Sequence, residues 1–459
     1  MELTQESDRL GTEAIIPLLL KLSAPGVIGM MINAFYNIVD SIYIGRLSTE
    51  ALSALSLSFP IQMIIISLSA GTGIGTNSLI SRLLGQGKKR RANNTAEHVF
   101  FIALIYAALT MVVGLFWAED LIRLFTNNQN LINLTSQYLK IILLGSITIY
   151  VPIIFNNILR GEGNTFTPML TMMIGAITNI ILDPFLIFGI GFFPKLGIEG
   201  AAYATLFGRG LAGIFIIYIV LYGDNEVTLE LSKFNLDFSI LKDIYQVGLP
   251  AMLMRALASV MLAGMNRIVG YYDTTAIAVV GIYFRMQSII ILPIFGLSQG
   301  FMPLVGYNYG HGNPKRMKKT IAFGSLLAFT FAIIGFTVFQ IFPTQLITLF
   351  NKDPELIKIG SNALKKISFA YLIMGFNIIG STTFQALGRG LPSLFISALR
   401  QIIILLPVMY FLGQLNGLES LWFAFPIAET VSFSLLIFWL LNTIKKAVAK
   451  MKQQSHIAN

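Results

Sequence analysis

Twelve apolar runs, each long enough to cross a bilayer, leave this 459-residue chain few architectures. They lie near 17–44, 51–80, 98–118, 134–158, 168–188 and 197–221, then near 243–269, 275–303, 320–342, 357–386, 393–413 and 421–443. About 20 apolar residues span the hydrocarbon core as a helix, which satisfies its own backbone polar groups. Charged residues form only 12% of the chain, where a soluble domain carries about 25%. The expectation is an all-α membrane protein, with lipid as its solvent. Cysteine is absent, so disulfides and thiolate metal sites are excluded. The N-terminus lacks a basic leader and carries Glu2, Glu6, Asp8 and Glu13, which reads as a short cytoplasmic tail.

The net charge of +10 sits in connections beside the apolar runs, so it points to a membrane and not to nucleic acid. Arg82, Lys88, Lys89, Arg90 and Arg91 follow the second run; Lys315, Arg316, Lys318 and Lys319 follow the eighth; Lys445, Lys446, Lys450 and Lys452 follow the last. The opposite connections hold only scattered bases such as Arg46, Arg123, Lys195 and Lys352. The positive-inside rule makes this a multi-pass cell-membrane protein with both termini cytoplasmic, in agreement with an even helix count.

The two sets of six runs copy one plan. Gly45 and Gly270, Gly71 and Gly296, Gly75 and Gly300, Gly85 and Gly310, and Gly87 and Gly312 are each 225 residues apart, as are Pro25 and Pro250. Of nine glycines between Pro25 and Leu139, five meet a glycine at that offset, where chance gives about one. Six helices per copy give both halves the same orientation, a parallel repeat suited to alternating access. The reading divides the chain into an N-terminal lobe over 1–222, a cytoplasmic linker over 223–242, a C-terminal lobe over 243–444 and a basic tail over 445–459.

Polar residues inside the runs separate the halves. Asp40 lies in the first helix, where a central carboxylate costs about 2.5–3.5 kcal/mol to insert and needs a function or a partner. Asn33, Asn37 and Asp40 form one stripe at spacings of four and three, and Pro25 below them is a candidate hinge. Asp183 follows Asn179 by one turn in the fifth helix and precedes Pro184; Tyr203 and Thr205 follow in the sixth. The alternatives are a hydrated Asp40 at the membrane interface and an Asp183 that caps a helix end. The second half carries Arg255, Arg285 and Arg400 instead, and Glu429, about eight residues into the last helix, calls for Arg400 or Arg285 as partner.

Enzyme patterns lack their context. Gly296–Gly300 matches G-x-S-x-G, but within a membrane helix and with no histidine in reach. There is no P-loop run, so transport must draw on a gradient rather than on ATP. Neither catalytic residues nor a cofactor are expected. Gly71 and Gly75, with Gly296 and Gly300, have the small-xxx-small spacing of closely packed helices.

Four stretches carry a resemblance: LPIFGLSQGFMPLVGYNYGHG from Leu292, SRLLGQGKKRRA at Ser81–Ala92, TNIILDPFLIFG at Thr178–Gly189, and the first helix from Pro25 through Asp40 to Gly45. Together they resemble the multidrug and toxic compound extrusion (MATE) family, in its prokaryotic branch with a first-helix aspartate. The resemblance implies a monomer of two six-helix lobes in a V shape, and it implies efflux of amphipathic, often cationic, small molecules against H⁺ or Na⁺. It also implies an ion site of Asp40, Asn179, Asp183 and Thr205. Asn33, Tyr36, Asn37, Gln62 and Asn156 become candidates to line or support the substrate cavity. The alternative is a lipid-linked-precursor flippase of the same superfamily, for which the arginines of the second half speak; a channel or receptor fits the repeat less well.

Overall fold

The structure is a computed structural model that describes residues 8–458, and helices make up the regular structure of those residues. Ten of them are long and apolar enough to cross a membrane, and two bent pairs bring the total to twelve spans. The first six spans are Ile15–Leu47, Thr49–Gly85, Lys89–Phe116, the pair Gln129–Leu144 and Ile147–Gly161, Phe166–Phe188 and Ile198–Tyr222. The second six are Phe238–Tyr272, Thr274–Gly310, Pro314–Ile341, the pair Pro354–Ser368 and Tyr371–Ala386, Gly390–Asn416 and Leu418–Gln453. The fourth and tenth spans, expected as single runs, are bent by 49° and 53°. Gly145 stands at the first break, where a methyl group would lie 2.3 Å from Leu206 Cδ2 of the sixth span. The second break, at Phe369 and Ala370, holds neither glycine nor proline, so no local signal announced it.

The 225-residue repeat extends to helix ends. Gly85 and Gly310 end the second and eighth spans, Phe116 and Ile341 the third and ninth, and Gly161 and Ala386 the fourth and tenth. Caps repeat where residue types do not. Ser48 Oγ accepts the Ala51 N–H at 3.0 Å, and Asp273 Oδ1 accepts the Thr275 N–H at 2.6 Å. Asn128 and Asp353 likewise cap the fourth and tenth spans, each accepting two backbone N–H groups. Each cap satisfies donors that a helix start leaves open. Gly87 and Gly312, then Gly163 and Gly388, take φ between +69° and +97° at matching turns, a region that side chains with a Cβ disfavour.

Packing divides the chain into two units, but not at the linker. One unit holds residues 28–248 with Asp8 and Arg9, and the other holds 10–27 together with 249 onward. Each unit thus takes in the first part of the other half's leading helix. In the second unit, Ser23 Oγ donates to Leu297 O at 3.3 Å, and a methyl group on Gly296 would lie 2.5 Å from the Val27 backbone. In the first unit, a methyl group on Gly75 would meet Ile244 O at 2.2 Å, and one on Gly248 would meet Gly71 O at 2.8 Å. The repeated glycines are therefore contact points for backbones. The division at 222 and 243 missed this exchange, because an apolar helix face does not reveal which bundle it joins.

Three boundaries also shift. The linker is shorter than 223–242, since the seventh span begins at Phe238, with Asp237 Oδ1 accepting the Ser239 N–H at 2.8 Å. The linker is tied down on the first unit: Glu162 accepts the Val227 N–H at 3.0 Å, Glu97 the Glu230 N–H at 3.1 Å, and His98 Nε2 the Asp237 N–H at 2.9 Å. The basic tail from 445 is not a separate segment, because the helix Ala424–Ala458 runs through it. At the other end Glu2 and Glu6 lie outside the described residues, while Asp8–Thr12 forms a short helix with Leu10 fully buried. Leu10 O accepts from Asn308 Nδ2 at 3.0 Å and from Arg316 Nε and Nη2, so the chain from Leu10 is docked in the second unit and is not a free tail.

Candidate functional site

Small residues bring the fifth and sixth spans of the first unit together. A methyl group on Gly208 would lie 2.6 Å from Gly175 O, and one on Gly200 would lie 2.3 Å from Leu186 O. At that separation short polar side chains reach across. Asn179 Nδ2 donates to Thr205 Oγ1 at 3.3 Å and to Asp183 Oδ1, one turn along its own helix, at 3.2 Å. Asn179, Asp183 and Thr205 are all buried, and Asp183 has no exposure at all. The fifth helix continues past Pro184 to Phe188 and ends at Gly189, whose φ is +74°. Asp183 is thus an interior residue and not a helix-end cap.

Asp40 joins this group from the first span. Tyr43, one turn later, meets Phe188 edge-on at 6.4 Å, which lays the end of the first span on the end of the fifth. Asp40 is 8% exposed, so the hydrated interfacial position does not hold. Its carboxyl group lies within hydrogen-bonding reach of the Asp183 carboxyl. Asp40 Oδ1, Asp183 Oδ2 and Asn179 Oδ1 are buried and receive no hydrogen bond from a donor. Two ionised carboxylates in contact repel each other, and a proton or a metal cation between them removes the repulsion. The oxygen donors suit a hard cation such as Na⁺ as well as a proton.

The other candidates divide. Gln62 is buried, with Nε2 donating to Ser58 Oγ at 3.0 Å and its side chain in hydrogen-bonding reach of the Tyr138 hydroxyl. Tyr138 lies in the fields of Asp40 and Tyr36. Asn33 and Asn37 share the Asp40 stripe but stand on its exposed part, where Asn37 Nδ2 donates to Asn33 O at 2.6 Å. Asn156 is buried in the fourth span, and its Oδ1 accepts nothing. Pro25 lies inside an unbroken helix, two residues before the chain passes between units.

The sequence reading passed over Arg209 and Tyr138. Arg209 follows Thr205 by four residues, so both lie on one face of the sixth helix. Its charge acts on Asp40 and Tyr138, and its Nη1 is buried without a hydrogen-bond partner. A lone arginine between Gly208 and Gly210, in a span whose other charge is Glu199 in its first turn, was the signal. In the second unit Glu429 finds Arg400, with Nη1 donating to Oε1 at 2.9 Å, while Arg285 is exposed.

The MatE family model matches residues 25–185 and 250–411, one stretch in each half. The FAD transporter of Shewanella oneidensis is 31% identical over 416 residues, covering 90% of this chain and 91% of the relative. Multidrug export protein MepA of Staphylococcus saprophyticus is 30% identical over 438 residues, covering 94% and 95%. A crystal structure of a MATE protein in a bent conformation superposes with a TM-score of 0.92 at 28% identity, over 98% of this chain and 99% of that one. The chain, a multi-pass membrane protein with two matched halves, belongs to the MATE family of transporters.

Proposed function

We propose that the protein is a secondary antiporter that exports amphipathic organic compounds, cations among them, in exchange for H⁺ or Na⁺ through the Asp40–Asp183 pair. The observation that carries this reading is the pairing of two buried, interacting carboxyl groups, each with one oxygen that receives no donor. Multidrug export and FAD transport, the activities named for the two relatives, support a transporter of organic molecules. The protein sits in the cell membrane with the basic connections on the cytoplasmic side.

Asp40 and Asp183 hold the ion, and Asn179 and Thr205 complete its oxygen shell. Counting Arg209, the ionised cluster carries one net negative charge, which a single monovalent cation balances. Ion entry favours one packing of the first span, which bends at Pro25 where a backbone hydrogen bond is missing. Drug and ion need not share atoms, since each biases the same two-state bundle through its own difference in affinity. A lipid-linked-precursor flippase is the second reading, favoured by Arg255, Arg285 and Arg400 within the C-terminal spans.

The test is ethidium export from proteoliposomes under two separate gradients, ΔpH without Na⁺ and ΔNa⁺ at equal pH. One gradient alone is expected to drive ethidium uphill. Uphill movement under neither gradient overturns the antiport reading.

A further inference from the structure

We propose that the eleventh and twelfth spans build a subsite for an anionic group, phosphate or carboxylate, of a transported molecule, with the free edge of Arg400 as its ligand and Glu429 as the counter-charge that holds the guanidinium in place. The proposal rests on the export reading and adds a substrate class to it.

Arg400 stands near the middle of the span Gly390–Asn416. A guanidinium at that depth is costly in lipid and as a rule faces water or a partner. Its side chain is 25% exposed, against 7% for Glu429, so the pair is buried at the acidic end and open at the basic end. The acidic end is fully engaged. Glu429 Oε1 takes Arg400 Nη1, and Oε2 takes Asn377 Nδ2, which also reaches Glu429 O at 3.2 Å and Ser432 Oγ at 3.3 Å. The Nε–Nη2 edge of Arg400, two parallel donors, remains for a ligand, and this fork matches carboxylate and phosphate oxygens.

The backbone is unusual at the same place. Leu399–Ile404 forms a π-helical turn, and the Leu405 N–H donates to Arg400 O across five residues. Such turns interrupt regular hydrogen bonding and recur at functional positions. In the same unit the fully buried Tyr283 and Tyr371 both pack edge-on against Phe339. Arg255 and Arg285 add two further positive charges within spans of this unit. A brace that served folding alone has no need of an open cationic end.

Flavin mononucleotide and riboflavin share one aromatic body and differ by a phosphate, which makes them the probes. Binding is measured on the purified full-length transporter in neutral-lipid nanodiscs, and ethidium export in proteoliposomes serves as the control. Wild type is expected to bind the mononucleotide about tenfold tighter, the worth of one charge-assisted contact. The double variant Arg400→Gln/Glu429→Gln keeps a neutral hydrogen-bonded pair and is expected to lose that preference while ethidium export stays within about twofold. Arg400→Lys keeps the charge without the fork and is expected to fall between them. Head-group-labelled phosphatidylglycerol and phosphatidylcholine, compared for flipping in the same proteins, separate a lipid source from a soluble one: a preference for the anionic lipid alone, lost in the double variant, assigns the subsite to lipid phosphate. Equal treatment of phosphate-bearing and neutral probes by wild type overturns the proposal. So does a preference that survives in the double variant, or an equal loss for all substrates. If ethidium export fails under every gradient while the binding preference stands, the antiport reading fails and the subsite remains.

Discussion

Gly208 faces Gly175 so closely that a methyl group on Gly208 would lie 2.6 Å from the Gly175 carbonyl oxygen and 3.2 Å from the Asn179 backbone nitrogen. This contact fixes the separation across which Asn179 reaches Thr205. Gly208→Val is expected to push the sixth span away, at a cost of about 1–3 kcal/mol. Ion dependence of export is expected to weaken more than ethidium binding at zero gradient. Export with unchanged ion dependence, from a protein of unchanged thermal stability, counts against the packing role.

Arg209 places a positive charge beside Asp40. Arg209→Gln removes it while keeping a polar side chain that can still donate a hydrogen bond. The half-saturating concentration of the coupling ion is expected to fall by about tenfold, equivalent to ~1.4 kcal/mol. Arg209→Lys is expected to restore the wild-type value. An unchanged ion titration in the Gln variant shows that the arginine does not act on the site.

The linker strap gives a prediction outside the membrane. His98 accepts the Asp237 N–H through Nε2, while Nδ1 lies 2.7 Å from Asn94 O, so the ring is neutral with its proton on Nδ1. His98→Ala is expected to speed proteolysis within 223–237 by about fivefold, as lost protection is read through local opening. The hydroxyl and N–H of Ser239 hold the Asp237 carboxyl below the usual carboxylate range. The sign follows: this helix start is favoured above the unfolded carboxyl's titration and loses that support as pH falls through the lower folded value. Cleavage rates from pH 6 to 8 are therefore expected to show no contribution from Asp237; a rise across that range set by Asp237, absent in Asp237→Asn, contradicts it.

Single cysteines test orientation cleanly in a chain that has none of its own. Replacements at Lys89 and Lys315 are expected to resist an impermeant thiol reagent in intact cells and to react after permeabilisation. Labelling in intact cells reverses the assigned orientation.

Much of this was legible in the sequence, for physical reasons. Glycines needed for positive φ or for backbone contact leave a mark that survives duplication, so Gly87 and Gly312, and Gly75 and Gly300, exposed the repeat. Buried charge in a membrane is costly, so Asp40, Asp183 and Glu429 stood out, and the structure gives each a polar neighbour. The exchange of leading helices did not show, because Leu22 and Ile244 look the same whichever bundle buries them. The strap did not show either, since Val227 and Glu230 are held through their backbone N–H groups, which any sequence supplies. Arg209 was visible but is tied to Asp40 only through the packing of two helices far apart in the chain.

The central claim is that one cation on the Asp40–Asp183 pair drives export. The most direct measurement is gradient-driven ethidium export by Asp40→Asn in proteoliposomes, alongside ethidium binding at zero gradient. The amide keeps the carboxyl's shape and removes its negative charge. The account expects normal folding, binding within about threefold of wild type and no uphill export, with Asp183→Asn behaving alike. Uphill export by Asp40→Asn at the wild-type rate, with the same dependence on pH and Na⁺, contradicts it.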